Sequence, residues 1–247
     1  MRVLLTGGAG FIGHHVAADI LANTDWHITI IDRLDCSGNL NRLAEIGAAK
    51  NPRVRFVYHD LRAEISDQLA SQLGTFDYVL HLAAGTHVDR SIERPIEFVY
   101  DNVVATCNLL DYARRHPVGR FLYFSTDEVF GPAPGATRYA EWDRYRSGNP
   151  YAATKAGGEE LALAFHNTYG VPVLITHTMN VIGVRQHAEK FVPNTIWKTS
   201  TGQMVTIHAD PTCTKPGSRF YIDAKEVARG VRFVLDKGEP GDRKSVV

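Results

Sequence analysis

Residues 2–13, Arg2-Val-Leu-Leu-Thr6 running directly into Gly7-Gly-Ala-Gly10-Phe-Ile-Gly13, decide how the rest of the chain is read. The apolar run suits a short buried strand, and residues 14–21 continue with a helical pattern. Strand, glycine turn and helix in that order are the context of a dinucleotide-binding turn; a glycine-rich turn without chemical meaning would not need both neighbours. Glycine at 7 and 10 permits a tight turn and close backbone approach, and glycine at 13 permits close helix packing. The helix start offers free N–H groups to a pyrophosphate. Phe11 and Ile12, between the last two glycines, are counted with Gly7, Gly10 and Gly13 as cofactor-binding.

Working outward, residues 27–31 form a second strand ending at Asp32, about twenty residues after the glycines, where an acid accepts hydrogen bonds from a ribose diol and repels a 2′-phosphate. NAD is expected over NADP, and the adjacent Arg33 weakens that preference without reversing it; the plainer reading of Asp32 is a loop cap. A third strand, 54–58, ends in His59-Asp60-Leu61, before a helix over 63–73. Asp60 either faces an adenine amino group or is an N-cap. A fourth strand, 76–82, ends in Ala83-Ala84-Gly85, which leaves room for a flat ring. This alternation predicts an α/β fold, a Rossmann-type doubly wound parallel sheet with helices on both faces and right-handed crossovers. A small, incomplete C-terminal substrate lobe follows it.

Charge excludes some partners. Lys plus Arg and Asp plus Glu number 27 each among 247 residues, so neither nucleic acid nor a membrane surface is expected. Cys36, Cys107 and Cys213 are scattered without metal-ligand spacing, which fits a reducing compartment and no metal. No basic-then-apolar segment opens the chain and no apolar run approaches roughly 18 residues, so a cytoplasmic protein is expected.

Phe121-Leu-Tyr-Phe-Ser-Thr-Asp-Glu-Val-Phe-Gly131 is a strand buried on both faces that opens onto hydroxyls and two carboxylates, at the end where open α/β sheets bind ligands. Tyr151-Ala-Ala-Thr-Lys155 sets a phenol and an ammonium four residues apart, on one helix face. His87, in a polar stretch with Thr86, reads first as a surface histidine. The helices 96–115 and 151–169 carry apolar stripes (Val99/Val103/Leu110 and Leu161/Ala164/Phe165) that serve a core or a dimer face. Residues 131–148 read as a loop long enough to lie over a site. Beyond it are expected a strand at 171–177, a helix at 194–200, a strand at 204–208, a loop at 210–217 and a last helix at 224–237. The domain division is 1–178 and 179–247, with helix 224–237 packing back on the first.

These residues resemble the extended short-chain dehydrogenase/reductases: Gly7/Gly10/Gly13, Asp32, Asp60, Ala83-Ala84, Asn102, Ser125-Thr126, and Tyr151 with Lys155. Ser37-Gly-Asn-Leu40, His87-Val-Asp-Arg-Ser-Ile92, Thr126-Asp127-Glu128, Glu189-Lys190 before Val-Pro, and Arg219 before Tyr-Ile are similar to the branch of nucleotide-sugar 4,6-dehydratases. The resemblance implies tightly held NAD, a nucleotide-diphosphate sugar as partner, dTDP-glucose before others, and a homodimer through helices 96–115 and 151–169. It implies Tyr151 as base with its pKa lowered by Lys155 and the nicotinamide charge, Thr126 sharing the hydrogen bond, Glu128 as C5 base and Asp127 as acid. Gly7, Gly10, Phe11, Ile12, Gly13, Asp32, Asp60, Leu61, Ala83, Ala84, Tyr151 and Lys155 would hold the cofactor; Thr86, His87, Thr126, Asn180, Glu189, Lys190 and Arg219 the substrate. Ile182 for a usual tyrosine, Gly85 for a usual glutamate, and a longer 205–219 stretch depart from the pattern. Members of the family continue for tens of residues past Gly238-Glu-Pro-Gly-Asp242, so weaker sugar-nucleotide binding with cofactor binding retained is expected. The other readings are an NDP-sugar 4-epimerase or decarboxylase, and a non-catalytic dinucleotide-binding sensor or partner subunit.

Overall fold

The computed structural model describes residues 1–133, 135, 137–207 and 209–246. In chain order the elements are β1 (Arg2–Thr6), α1 (Phe11–Asn23), β2 (His27–Asp32), α2 (Leu40–Glu45), β3 (Val54–Tyr58), α3 (Asp67–Leu73) and β4 (Tyr78–His81). There follow α4 (Val88–Glu93), α5 (Pro95–Val99), a π-helical turn (Tyr100–Val104), α6 (Ala105–Arg115), β5 (Arg120–Thr126), a 3-10 turn (Asp127–Phe130), α7 (Pro150–Tyr169) and β6 (Val173–Thr178). The last elements are β7 (Asn180–Ile182), α8 (Phe191–Ser200), β8 (Tyr221–Asp223), α9 (Ala224–Lys237) and β9 (Arg243–Val246).

One parallel sheet runs β3-β2-β1-β4-β5-β6-β9. The order reverses between β1 and β4, which opens a crevice at their carboxyl ends, where such sheets take ligands. Its strands are apolar at consecutive positions because both faces are covered. Val3, Leu5, Ile28, Ile30, Leu122 and Phe124 join Val16, Ile20, Val227 and Val231 in one core, while Leu4, Ile31, Val79, Phe121 and Tyr123 join Leu109, Leu110 and Tyr112 in another. Truncating one such leucine to alanine costs about 2–5 kcal/mol, so the alternation itself fixes which face each strand residue serves. The last helix, α9, therefore packs with α1 on the first core, and β9 extends the sheet by pairing Arg243 with Ile175.

Some predicted elements differ. The helix expected over 63–73 starts at Asp67, because the Ser66 hydroxyl accepts from Leu69 N and caps it. The helix expected over 96–115 is three pieces, with the π turn in the middle, and Leu110 of its stripe lies in the core while Val99 stays 40% exposed. Of the strand expected over 204–208, residues 204–207 are coil with Met204 exposed, and His208 lies outside the described residues. The following loop is held by an isolated bridge between Ala209 and Pro216 and by Asp210, whose carboxylate accepts from Thr214 N at 2.9 Å and Lys215 N at 3.0 Å. Between β7 and β8, which pair with each other, α8 buries none of its residues. Among the described residues no helix is long and apolar enough to cross a membrane, and no group of His, Cys, Asp and Glu converges as metal ligands would.

Candidate active site

The crevice is shaped by backbone. Gly7 sits at φ +70, and a Cβ there would lie 2.8 Å from Ala83 N; a Cβ at Gly13 would lie 2.1 Å from Gly7 O. The β1 turn thus rests on the end of β4, and α1 rests on the turn, approaches that only glycine permits. Gly10 caps α1 without any side-chain hydrogen bond, so the first N–H groups of the helix are left for a ligand, with the positive end of the dipole behind them. At the tip of β2, Asp32 accepts from Ala9 N at 3.0 Å and from Leu34 N at 2.8 Å. Burial raises its pKa, and those two N–H groups oppose the shift. It is both a loop cap and an acid presented beside the glycine turn.

Asp60 accepts from Arg62 Nε at 2.8 Å and from Arg62 N at 3.0 Å. Burial alone would raise its pKa, but Arg62 and Arg33 hold it below the ordinary carboxylate value. Since Ser66 caps α3, the N-cap reading of Asp60 falls. Leu61 turns its side chain into the second core. Phe11 and Ile12 are half-buried in the first turn of α1, and Ala83 and Ala84 are half-buried at the end of β4. Beside them Gly85 is clamped by Asn102, which accepts from Gly85 N at 2.7 Å and donates to Gly85 O at 3.1 Å. An uncapped helix start, a turn too tight for any Cβ, an acid at the second strand and small residues at the fourth fit a dinucleotide.

The reactive side chains come from β5 and α7. Thr126 ends β5; its hydroxyl accepts from Glu128 N and donates to Asp127 Oδ1, each at 3.3 Å, which winds the 3-10 turn and fixes both carboxylates beside it. Asn149 caps α7 by accepting from Ala152 N at 2.8 Å, and its amide donates to Glu128 Oε2 at 3.1 Å. Pro150 then starts the helix. This puts Tyr151 in the first turn, its phenol close enough to the Thr126 hydroxyl to feel it electrostatically and its backbone N–H on Ser91 Oγ at 3.1 Å. One turn on, Lys155 is 4% exposed; its ammonium donates to Phe124 O at 2.7 Å and stands 4.2 Å from the Tyr123 ring centroid.

Electrostatics corrects one expectation. Lys155 does not lower the Tyr151 pKa here. Burial raises it, and the charges of Glu128 and Asp127 push the same way, while Thr126 alone opposes them. Burial also lowers Lys155 to about 7, against the pull of Glu159, so its ammonium is itself only partly charged near neutrality. Asp127 is raised by burial and then by Glu128, although part of its side chain meets solvent at the mouth of the cleft. Asp127 is therefore more disposed to keep its proton than an ordinary aspartate.

The facing wall is looser. Glu189 pairs with Arg90 at 3.0 Å, His187 at 3.1 Å and His87 at 3.6 Å. Lys190 Nζ donates to Thr86 O at 3.2 Å, and burial lowers its pKa. Thr86, His87, Glu189 and Lys190 thus meet across the cleft. Asn180 instead reaches Phe220 O at 3.4 Å, and Arg219, exposed, donates to its neighbour Ser218 O at 2.8 Å. The charge of Arg219 still weighs on Asp127. Sequence reasoning gave no role of their own to Asn149, Ser91 or Arg90; Asn149-Pro150 carries a helix-start signature, and Arg90 and Ser91 lie inside the His87–Ile92 stretch that carries the family resemblance. A cavity of about 300 Å³ between Arg2, His27, Arg53 and Arg55 lies at the opposite, amino end of the strands, away from these groups.

Fold and crevice define a dinucleotide-dependent enzyme, with a phenol and an acid pair brought together where β5 meets α7. A family model described as the NAD dependent epimerase/dehydratase family matches residues 3–247, and the chain belongs to that family. It is 38% identical over 250 residues to a dTDP-glucose 4,6-dehydratase of an Actinoplanes species, covering 98% of this chain and 75% of that protein. It is 37% identical over 243 residues to the low-salt glycan biosynthesis protein Agl12 of Haloferax volcanii, with the same coverage of 98% and 75%. Among solved structures, DesIV of Streptomyces venezuelae, a dTDP-glucose 4,6-dehydratase with NAD bound, superposes with TM-score 0.91 at 36% identity over 100% of this chain and 75% of that one. A Bacillus cereus UDP-glucuronic acid 4-epimerase with NAD superposes with TM-score 0.86 at 26% identity, over 100% and 77%.

Proposed function

We propose that this chain is a nucleotide-sugar 4,6-dehydratase that converts an NDP-glucose, dTDP-glucose before others, to the 4-keto-6-deoxy sugar. The observation that carries this reading is the Asp127–Glu128 pair fixed beside Thr126 and the Tyr151 phenol, with Asp127 raised and Glu128 held by Asn149. A 4-epimerase needs the phenol but not a neighbouring acid and base. NAD, when bound, supplies the hydride acceptor for C4 and returns the hydride to C6.

In this reading Tyr151, as the phenolate that the positive charge of bound NAD⁺ would favour against the effect of burial, accepts the proton of the C4 hydroxyl while Thr126 shares the hydrogen bond. The C4 ketone acidifies C5–H, and Glu128 removes that proton. Asp127 protonates the C6 hydroxyl, which leaves as water as the C5–C6 double bond forms. Gly7, Gly10, Phe11, Ile12 and Gly13 would hold the pyrophosphate, Asp32 the ribose, Asp60 and Leu61 the adenine side, and Ala83, Ala84, Tyr151 and Lys155 the nicotinamide half. Lys190 and Arg219 would face the substrate diphosphate, with Thr86, His87, Asn180 and Glu189 around the rest. Residues 1–178 carry cofactor and chemistry, and 179–247 supply the substrate side. Ile92, Ile96, Val99 and Tyr100 leave an exposed apolar strip on α4, α5 and the π turn, which supports a homodimer through this helix face and α7. Cys36, Cys107 and Cys213, free of disulfides, support a reducing compartment and so a cytoplasmic protein.

Incubation with dTDP-glucose tests the reading. The expected product absorbs near-ultraviolet light in alkali, as a 4-keto-6-deoxy sugar does. In Glu128→Gln that product is lost while C4 oxidation persists, seen as reduced-nicotinamide absorbance. A 4-epimer instead would make the chain an epimerase, and no product with NAD still bound would make it a sensor or partner subunit.

A further inference from the structure

The geometry points to Asp101 as a determinant of NAD over NADP, acting by occupying Arg33 so that its guanidinium cannot receive a 2′-phosphate. This rests on the reading of the β2 tip as the adenosine-ribose side. Arg33 directly follows Asp32, where a cation would ordinarily accommodate that phosphate. Taken from sequence, it weakens the NAD preference; the structure reverses that expectation.

Every edge of the guanidinium is already taken. Nη1 donates to Asp101 Oδ1 at 2.6 Å and Nη2 to Asp101 Oδ2 at 2.9 Å, a two-bond fork of the kind that Arg otherwise offers to phosphate. Nε and Nη2 donate to Asp35 Oδ2 at 3.2 and 2.8 Å, and Asp60 Oδ1 lies 3.7 Å from Nη1. The pair is sheltered, with 25% of the Arg33 side chain and 10% of the Asp101 side chain exposed. Among the described residues, the other guanidinium paired within this group is Arg62, spent on Asp60 and 3.9 Å from Asp101. Asp32, Asp35, Asp60 and Asp101 thus surround two cations, a field that repels a further dianion.

The π turn is what makes the arrangement possible. Asp101 points to Arg33 from the same turn on which Asn102 holds Gly85 and Thr154. A side chain at Gly85 would meet Asp101 Oδ2 at 3.3 Å, so the glycine leaves the carboxylate its space. Asp101 is accordingly a positioning residue for coenzyme choice. It acts on Arg33, not on the cofactor.

Calorimetric titration of NAD⁺ and NADP⁺ into the full chain tests this without any turnover. Asp101→Asn keeps shape and removes charge. It is expected to tighten NADP⁺ binding about tenfold, the worth of one charge-assisted contact, with NAD⁺ affinity changed less than about twofold. Arg33→Ala in the wild-type background is expected to leave NADP⁺ affinity unchanged, because the guanidinium is not available there. In Asp101→Asn/Arg33→Ala the gain is expected to vanish. An Asp101→Asn variant with no NADP⁺ gain, a gain that survives loss of Arg33, or a several-fold NADP⁺ loss in Arg33→Ala alone would each overturn the inference. If Asp32→Ser leaves NAD⁺ affinity untouched, the ribose reading itself fails and takes this one with it; if Asp32→Ser weakens NAD⁺ while Asp101→Asn does nothing, only the inference fails.

Discussion

On the β5–α7 side of the cleft each reactive group has an ordered partner: Tyr151 has Thr126, Glu128 has Asn149, and Lys155 has the Phe124 carbonyl. On the 180–220 side Asn180 and Arg219 reach only nearby backbone, α8 buries nothing, and Phe220 is 79% exposed. The contrast separates two tasks. Proton transfer demands groups held to within fractions of an ångström, which packed strands and capped helices provide. Recognition of a nucleotide sugar tolerates side chains that settle when the ligand arrives.

The comparison can be broken at several strengths. Tyr151→Phe removes the proton acceptor but neither packing nor the cofactor crevice, so kcat is expected to fall about 10³-fold with NAD⁺ affinity retained; a loss below about tenfold would mean that the ordered wall is not where the chemistry occurs. Asn149→Ala takes away both the cap of α7 and the hold on Glu128. We expect kcat lower by about tenfold, in keeping with a misplaced base, and the thermal unfolding midpoint lower by the equivalent of about 1 kcal/mol.

Lys155 gives a pH signature. Burial puts its folded pKa at about 7, below its ordinary 10.5. Between those values the unfolded chain binds the extra proton, so this residue makes stability rise with pH over that window, by at most about 1.4 kcal/mol per unit. Below about 7 its cost is fully present. Denaturant titrations of Lys155→Met across that window are expected to show a flatter rise than wild type; parallel curves would show that the ammonium is not as dry as its surroundings suggest. The smallest effect belongs to the open wall: Arg219→Ala is expected to raise KM several-fold and leave kcat within about twofold, since the exposed guanidinium contributes binding in ground and transition state alike.

The same contrast governs what the sequence made legible. The α/β alternation, the glycine turn, Asp32 and the Thr126/Tyr151/Lys155 set were readable because each depends on local pattern: apolar runs, a strand followed by glycines, an i to i+4 pair. The strand expected at 204–208 was not, since that stretch has apolar residues but no neighbouring strand to pair with. The single helix expected over 96–115 failed because apolar periodicity cannot reveal a widened turn. Asn149's grip on Glu128 and Asp101's on Arg33 join residues 21 and 68 positions apart, and no local pattern encodes them. The rise of the Tyr151 pKa, opposite to expectation, came from the balance of burial against charge, which depends on where Lys155 finds its acceptor.

The widened turn at Tyr100–Val104 carries one more consequence. A π turn holds one residue more than a regular helix would spend over the same rise, and from it Asp101 and Asn102, adjacent in the chain, reach apart, one to Arg33 after β2 and the other to Gly85 after β4. Deleting a single residue there would let the helix close into uniform α geometry and rotate everything upstream by about 100° relative to α6. Asp101 would swing off Arg33, and α4 and α5 would lose their seat on α7. The segment therefore behaves like a keyed shaft: its length is as fixed as the two side chains, Asp101 and Asn102, that it aims.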